Sequence, residues 1–145
     1  MEAGYVPVTV SEQQPNLSEK DYNVWLFVER MYTEVLDRTP DMNGIRDWVA
    51  LLKAGTWTGA KVASGFILSE EFLAKPMTNE AYVKIMYSAF FGREADPNGL
   101  AFWVECLETD YTREYIFAGF ANSTEFGTLC SMYGITQGSA NVPER

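Results

Sequence analysis

Apolar side chains recur at helical spacing in several separate stretches of the chain. Val24, Val28, Met31 and Val35 form one stripe, widened by Trp25, Tyr32 and Leu36, while Glu29, Arg30, Thr33 and Glu34 fill the opposite face. Ser18, with Asp21 three residues later, is close to a capping box and marks where this first helix starts. Ile45, Trp48, Val49 and Leu52 predict a second helix, closed by Gly55. Thr58 then fits the N-cap of a third helix, which carries Val62, Ala63, Phe66 and Ile67.

The same three stripes return further along. Tyr82, Met86, Ala89 and Phe90 make the first, Leu100, Trp103, Val104 and Leu107 the second, and Ile116, Gly119 and Phe120 the third. Phe27 to Tyr32 aligns with Tyr82 to Tyr87, and in that register Arg38 meets Arg93, Asp41 meets Asp96, Asn43-Gly44 meets Asn98-Gly99 and Trp48 meets Trp103. One residue then drops out. Thr58 meets Thr112, Gly65-Phe66 meets Gly119-Phe120, and Ser69, Glu71 and Phe72 meet Ser123, Glu125 and Phe126. Agreement at polar and apolar positions alike establishes a tandem duplication. Pro76, followed by the cap candidate Thr78, marks the junction, and a last short helix is expected from Thr124 to Tyr133, stopped by Gly134.

These elements predict an all-α fold, a compact bundle of about six to seven helices built from two helix-loop-helix-helix repeats. Repeat one is placed at 20–74 and repeat two at 78–134, inside a single domain spanning 16–135. Residues 1–15 and 136–145 read as tails, with a short extended segment over Tyr5 to Val10. A single unit buries too little surface to be stable alone, so the two are expected to share one core.

Composition narrows the function classes. The 145-residue chain is 47% hydrophobic and 14% aromatic, ample for a packed interior, and carries a net charge of −9. With no basic stripe to offset that charge, nucleic acid and anionic membrane surfaces are disfavoured partners. No apolar run approaches the roughly 18 residues of a membrane span, so no insertion is expected. The chain contains no histidine, which removes the commonest general base and metal ligand. Cys106 and Cys130 match no zinc spacing; two buried free thiols is the preferred reading, with one bridge in an oxidising compartment as the alternative. The opening Met1-Glu2-Ala3-Gly4 lacks the layout of a signal peptide, and a fragment start would leave the compartment undecided.

The sharpest motif is the loop between the first two helices of each unit. Its local reading has Asp41 or Asn43, and Asp96 in the second copy, capping the next helix. Gly44 and Gly99 then relieve a strained turn, and Arg38 and Arg93 pair with the aspartate or with carbonyls ending the first helix. Its functional reading is calcium: Glu94, Asp96, Asn98 and Gly99 fall at places 1, 3, 5 and 6 of an EF-hand-like loop, with Glu105 at place 12. Against it, Trp103 and Val104 should already be helical, and the first copy has Thr39 and Ala50 at places 1 and 12, so neither a metal nor a cofactor is expected. Trp48 and Trp103 read as core anchors, and Trp25 as a residue at the first unit's edge. Trp57 and Tyr111 differ, because each falls in the short link between second and third helices. There an aromatic can stack on a sugar ring, anchor a protein partner, or simply cover the end of its own bundle. No carboxylate pair, phosphate loop or nucleophile elbow stands out, so no enzyme is expected.

Arg38-Thr39-Pro40-Asp41-Met42-Asn43-Gly44 with Trp48, Gly65-Phe66 and Ser69-Glu70-Glu71-Phe72 resembles the bacterial domain of unknown function DUF4214. The second copy, Gly92-Arg93-Glu94-Ala95-Asp96-Pro97-Asn98-Gly99 with Trp103 and Ser123-Thr124-Glu125-Phe126, resembles it more closely still. A fainter likeness, in the Gly-Arg-x-Pro-Asp loop and the Ser-x-Glu-Phe ending, is to phycobilisome linker polypeptides. Asp37, standing where the second copy has Gly92, and Trp57 depart from the family pattern. The DUF4214 resemblance implies an all-helical accessory module of a secreted or cell-surface bacterial protein, in a family where some members adjoin calcium-binding repeats or glycan-handling domains. The expectation is a non-catalytic module that binds a glycan or a protein at the cell surface, with a structural spacer or assembly piece as the alternative.

Overall fold

The computed structural model describes residues 18–143, and the extended segment read over Tyr5 to Val10 lies outside them. The first unit comprises α1 (Glu19–Arg30), which runs into a π-turn (Met31–Val35), then α2 (Met42–Ala54), α3 (Gly59–Ile67) and α4 (Glu70–Leu73). The second comprises α5 (Asn79–Met86) and its π-turn (Tyr87–Phe91), α6 (Pro97–Glu108), α7 (Arg113–Ala121) and α8 (Thr124–Tyr133). The fold is all-α and duplicated, as the stripes predicted. Its extra helix is α4, where Ser69 accepts a hydrogen bond from the Phe72 N–H and caps a single turn.

Helix starts follow short side chains that accept from backbone N–H groups. Ser18 accepts from Asp21, Thr58 from Lys61, Thr78 from Ala81, Thr112 from Tyr115 and Ser123 from Phe126. Gly55 and Gly134 end α2 and α8 in the left-handed conformation.

One core serves both units, and its seam is made by the fourth helices. Phe126 of α8 lies 5.6 Å from Phe27 of α1, ring centre to ring centre, and Phe72 of α4 lies 6.1 Å from Tyr82 of α5. In the register of the duplication these are one contact made twice, each unit placing its terminal phenylalanine beside the other's first helix. Phe27, Phe90, Phe120 and Phe126 are fully enclosed. Trp25, expected at an edge, is buried as well, because α1 starts a turn earlier than α5 and lies along α2.

The stretch from Thr136, expected as a tail, is stitched to the bundle. The carbonyls of Thr136 and Gln137 accept from the Gly59 and Ala60 N–H groups at the start of α3. The Gln137 side-chain amide donates to the Ala121 and Ser123 carbonyls, and Asn122 and Ala140 exchange two hydrogen bonds. The chain leaving the first unit does the corresponding thing: the Met77 carbonyl accepts from Arg113 at the start of α7. Each unit's exit therefore binds the other unit's third helix.

Candidate functional site

The duplicated loop folds an arginine back over a tyrosine in both copies. Each π-turn leads into a left-handed residue, Asp37 with φ 55° and Gly92 with φ 66°. The departure at Asp37 is thus one the backbone tolerates, aspartate being among the few residues other than glycine that enter this region. The guanidinium of Arg38 then lies 5.2 Å from the centre of the Tyr32 ring, and that of Arg93 lies 5.1 Å from Tyr87.

The main partner of each arginine is a glutamate. Arg38 Nε donates to Glu71 at 2.9 Å, and Arg93 donates through Nε and Nη2 to both oxygens of Glu125, each at 2.9 Å. Only Arg93 also reaches the expected aspartate, Asp96, at 3.4 Å. The fork onto Glu125 raises the Arg93 pKa further above its ordinary value. The sequence reading missed the two glutamates, although both belong to the duplicated set.

Asp41 accepts from the Asn43 N–H at 3.1 Å and Asp96 from the Gly99 N–H at 3.0 Å, the capping roles expected of them. The Gly99 N–H holds the Asp96 carboxyl below the ordinary carboxylate range. Gly44 and Gly99 relieve no strained turn. Both lie inside helices, and a Cβ on either would run into the hydroxyl of Tyr32 or Tyr87. That space lets each tyrosine reach under the helix, where burial pushes its pKa up.

Trp48 and Trp103 are not enclosed anchors. Both are half-buried lids on the core, 5.7 Å from Phe66 and 5.2 Å from Phe120. Arginine, tyrosine, glycine, tryptophan and glutamate therefore form one clamp per unit, and the motif residues are used up in holding loop to bundle.

The calcium loop does not form. Helix α6 starts at Pro97, directly after the Asp96 cap, so Asn98 and Glu105 lie on a helix instead of curling round an ion. The two Asp96 oxygens already accept from Gly99 and Arg93, and no group of three His, Cys, Asp or Glu among the described residues is arranged to hold a metal. Cys106 on α6 is half-buried and Cys130 on α8 is buried, and both thiols are free. Burial pushes Cys130 up to about 12, far from a reactive thiolate.

Trp57 and Tyr111 sit at matching links, both half-exposed. Trp57 meets Trp48 edge-on at 5.0 Å, with the Lys61 ammonium 5.3 Å from its ring centre. Tyr111 stacks on Tyr115 at 4.3 Å with the rings 29° from parallel.

The family described as "Domain of unknown function (DUF4214)" matches residues 9–76 and again 73–130. No curated protein and no solved structure matches the chain.

Proposed function

The chain belongs to the DUF4214 family, in two tandem copies, and from that premise we propose a non-catalytic interaction module of a secreted or cell-surface bacterial protein, recognising a glycan. The observation that carries the reading is the pair of pre-set aromatics at matching links. Trp57 is held by Trp48 and Tyr111 by Tyr115, and each keeps part of its ring in solvent. An aromatic ring fixed by its neighbour loses little freedom when a sugar ring stacks on it. The clamp residues, by contrast, are bonded to one another and leave no free nucleophile or base. A glycan array followed by affinity electrophoresis tests the proposal. Trp57→Ala or Tyr111→Ala should weaken binding about tenfold or more, the scale of a truncated hot-spot aromatic. An array with no hit, or binding that survives both changes, sinks the glycan reading.

A second reading, assembly through protein contact, is favoured by α6. Leu100, Trp103, Val104, Cys106 and Leu107 are only half-covered, and Phe102 is 57% exposed where the first unit carries Asp47. Phe102→Asp separates the readings, since it should abolish self- or partner association and leave glycan binding alone.

A further inference from the structure

We propose that the uncovered apolar stripe of α6 receives an amphipathic helix of another protein, one that carries an aromatic side chain and a basic first turn. This partner deepens the reading of α6 as an assembly surface and rests on it.

The first unit shows how such a stripe is covered. Ile45, Val49 and Leu52 of α2 are buried, and α1 lies along that helix. Two features of α1 complete the cover. Its first turn reaches the end of α2, where Asp21 accepts from the Lys53 ammonium at 2.8 Å, and its Trp25 is 2% exposed.

The second unit has the same stripe and neither feature. Leu100, Val104 and Leu107 stand in the places of Ile45, Val49 and Leu52 and are only half-covered. Helix α5 starts at Asn79, the counterpart of Val24, so the first turn has no equivalent. Glu80 replaces Trp25 and is paired with Lys84 at 3.0 Å. The link before α5 leads towards α7 instead, its Met77 carbonyl held by Arg113. A place that α1 fills in one unit thus stays open in the other, over an apolar floor of the kind amphipathic helices dock on.

Charge selects the occupant. Glu108 stands where Lys53 stands, so the charge that meets Asp21 in the first unit is reversed in the second. Glu105, one helical turn before it, shares that face, and neither glutamate pairs with a cation among the described residues. Residues 1–17 contain two glutamates and no lysine or arginine, and the first turn of α1 is acidic through Glu19 and Asp21. Neither the chain's own N-terminal segment nor the first helix of a second copy therefore matches this rim. A lysine or arginine from another protein does.

Calorimetry on the full chain tests this with two peptides as probes: residues 18–30, and the same peptide with Glu19→Lys and Asp21→Lys. The lysine peptide should bind about tenfold more tightly than the unchanged one, or better. Glu108→Lys in the chain, an exposed change that spares the fold, should reverse the order. Val104→Asp should weaken the lysine peptide about tenfold or more. Equal binding of the two peptides, no binding, or an order unmoved by Glu108→Lys would overturn the proposal. A dimer that Val104→Asp dissociates, or residues 1–17 losing amide protection in that variant, would give the stripe to another occupant and overturn it as well. Phe102 stands outside the stripe, at the place of the exposed Asp47. Association lost in Phe102→Asp without peptide binding would therefore leave α6 an assembly surface and overturn the basic helix alone.

Discussion

Gly65 and Gly119 occupy the same place in the two copies, yet an added methyl group has opposite consequences. At Gly65 the nearest atom a Cβ meets is Trp48 Cη2 at 3.9 Å, an ordinary contact. At Gly119 it meets Trp103 Cη2 at 2.9 Å, and that indole is wedged between Phe102 and Phe120. Gly65→Ala should therefore raise stability by about 0.5–1 kcal/mol, the gain of alanine over glycine within a helix. Gly119→Ala should lower it by about 1–3 kcal/mol through overpacking. Urea melts of the two variants check this, and equal signs would contradict the tryptophan placements. At this scale the sequence was legible wherever a contact was local. The caps at Ser18, Thr58 and Thr78 each bond a residue three positions on. The glutamate partners of Arg38 and Arg93 lie 33 and 32 residues away, beyond what spacing reveals, and the nearby aspartates looked the natural choice.

Among the elements, helices of matching sequence differ in how well they are covered. On α2, Ile45, Val49 and Leu52 are buried, whereas α6 buries none of its residues. The cause lies at the front of the units. Helix α1 begins at Glu19 and its first turn braces α2, with Asp21 bonded to Lys53 at 2.8 Å. Helix α5 begins only at Asn79, after the inter-unit link. A stripe shows which face of a helix is apolar, but not whether a neighbour is long enough to cover it. The segment after α8 was misread for a related reason. Thr136 to Ala140 carries no periodic pattern, yet it works through backbone carbonyls and one amide. Gln137→Ala leaves the Ala121 and Ser123 carbonyls without this donor and should cost about 1–3 kcal/mol. Amide exchange should show that loss as faster opening at the Gly59 and Ala60 N–H groups, and unchanged protection there would argue against a strap.

For the molecule as a whole, the duplication reveals that two units exist but cannot reveal how they close. A phenylalanine that ends each unit could pack on the first helix of its own copy or of the other, and the residues would be the same in either case. The structure crosses the units at both: Phe72 packs on Tyr82, and Phe126 bridges Phe90 of its own unit at 4.9 Å and Phe27 of the other at 5.6 Å, while the exits bind the opposite third helices through Met77 and through Thr136 and Gln137. An interlocked pair has no independent halves. Separating the units would expose Phe27, Phe126, Phe72 and Tyr82, all now 3% exposed or less. A chain of about 60 residues already buries only about 60% of its unfolded surface and cannot spare them. Fragments 18–76 and 77–143 should therefore be largely unfolded alone by circular dichroism, and should regain helicity when mixed. The intact chain should unfold in one calorimetric transition, with van 't Hoff and calorimetric enthalpies equal. Two resolved transitions, or a folded lone fragment, would mean that each copy closes on itself and that the phenylalanine exchange is not what binds the units.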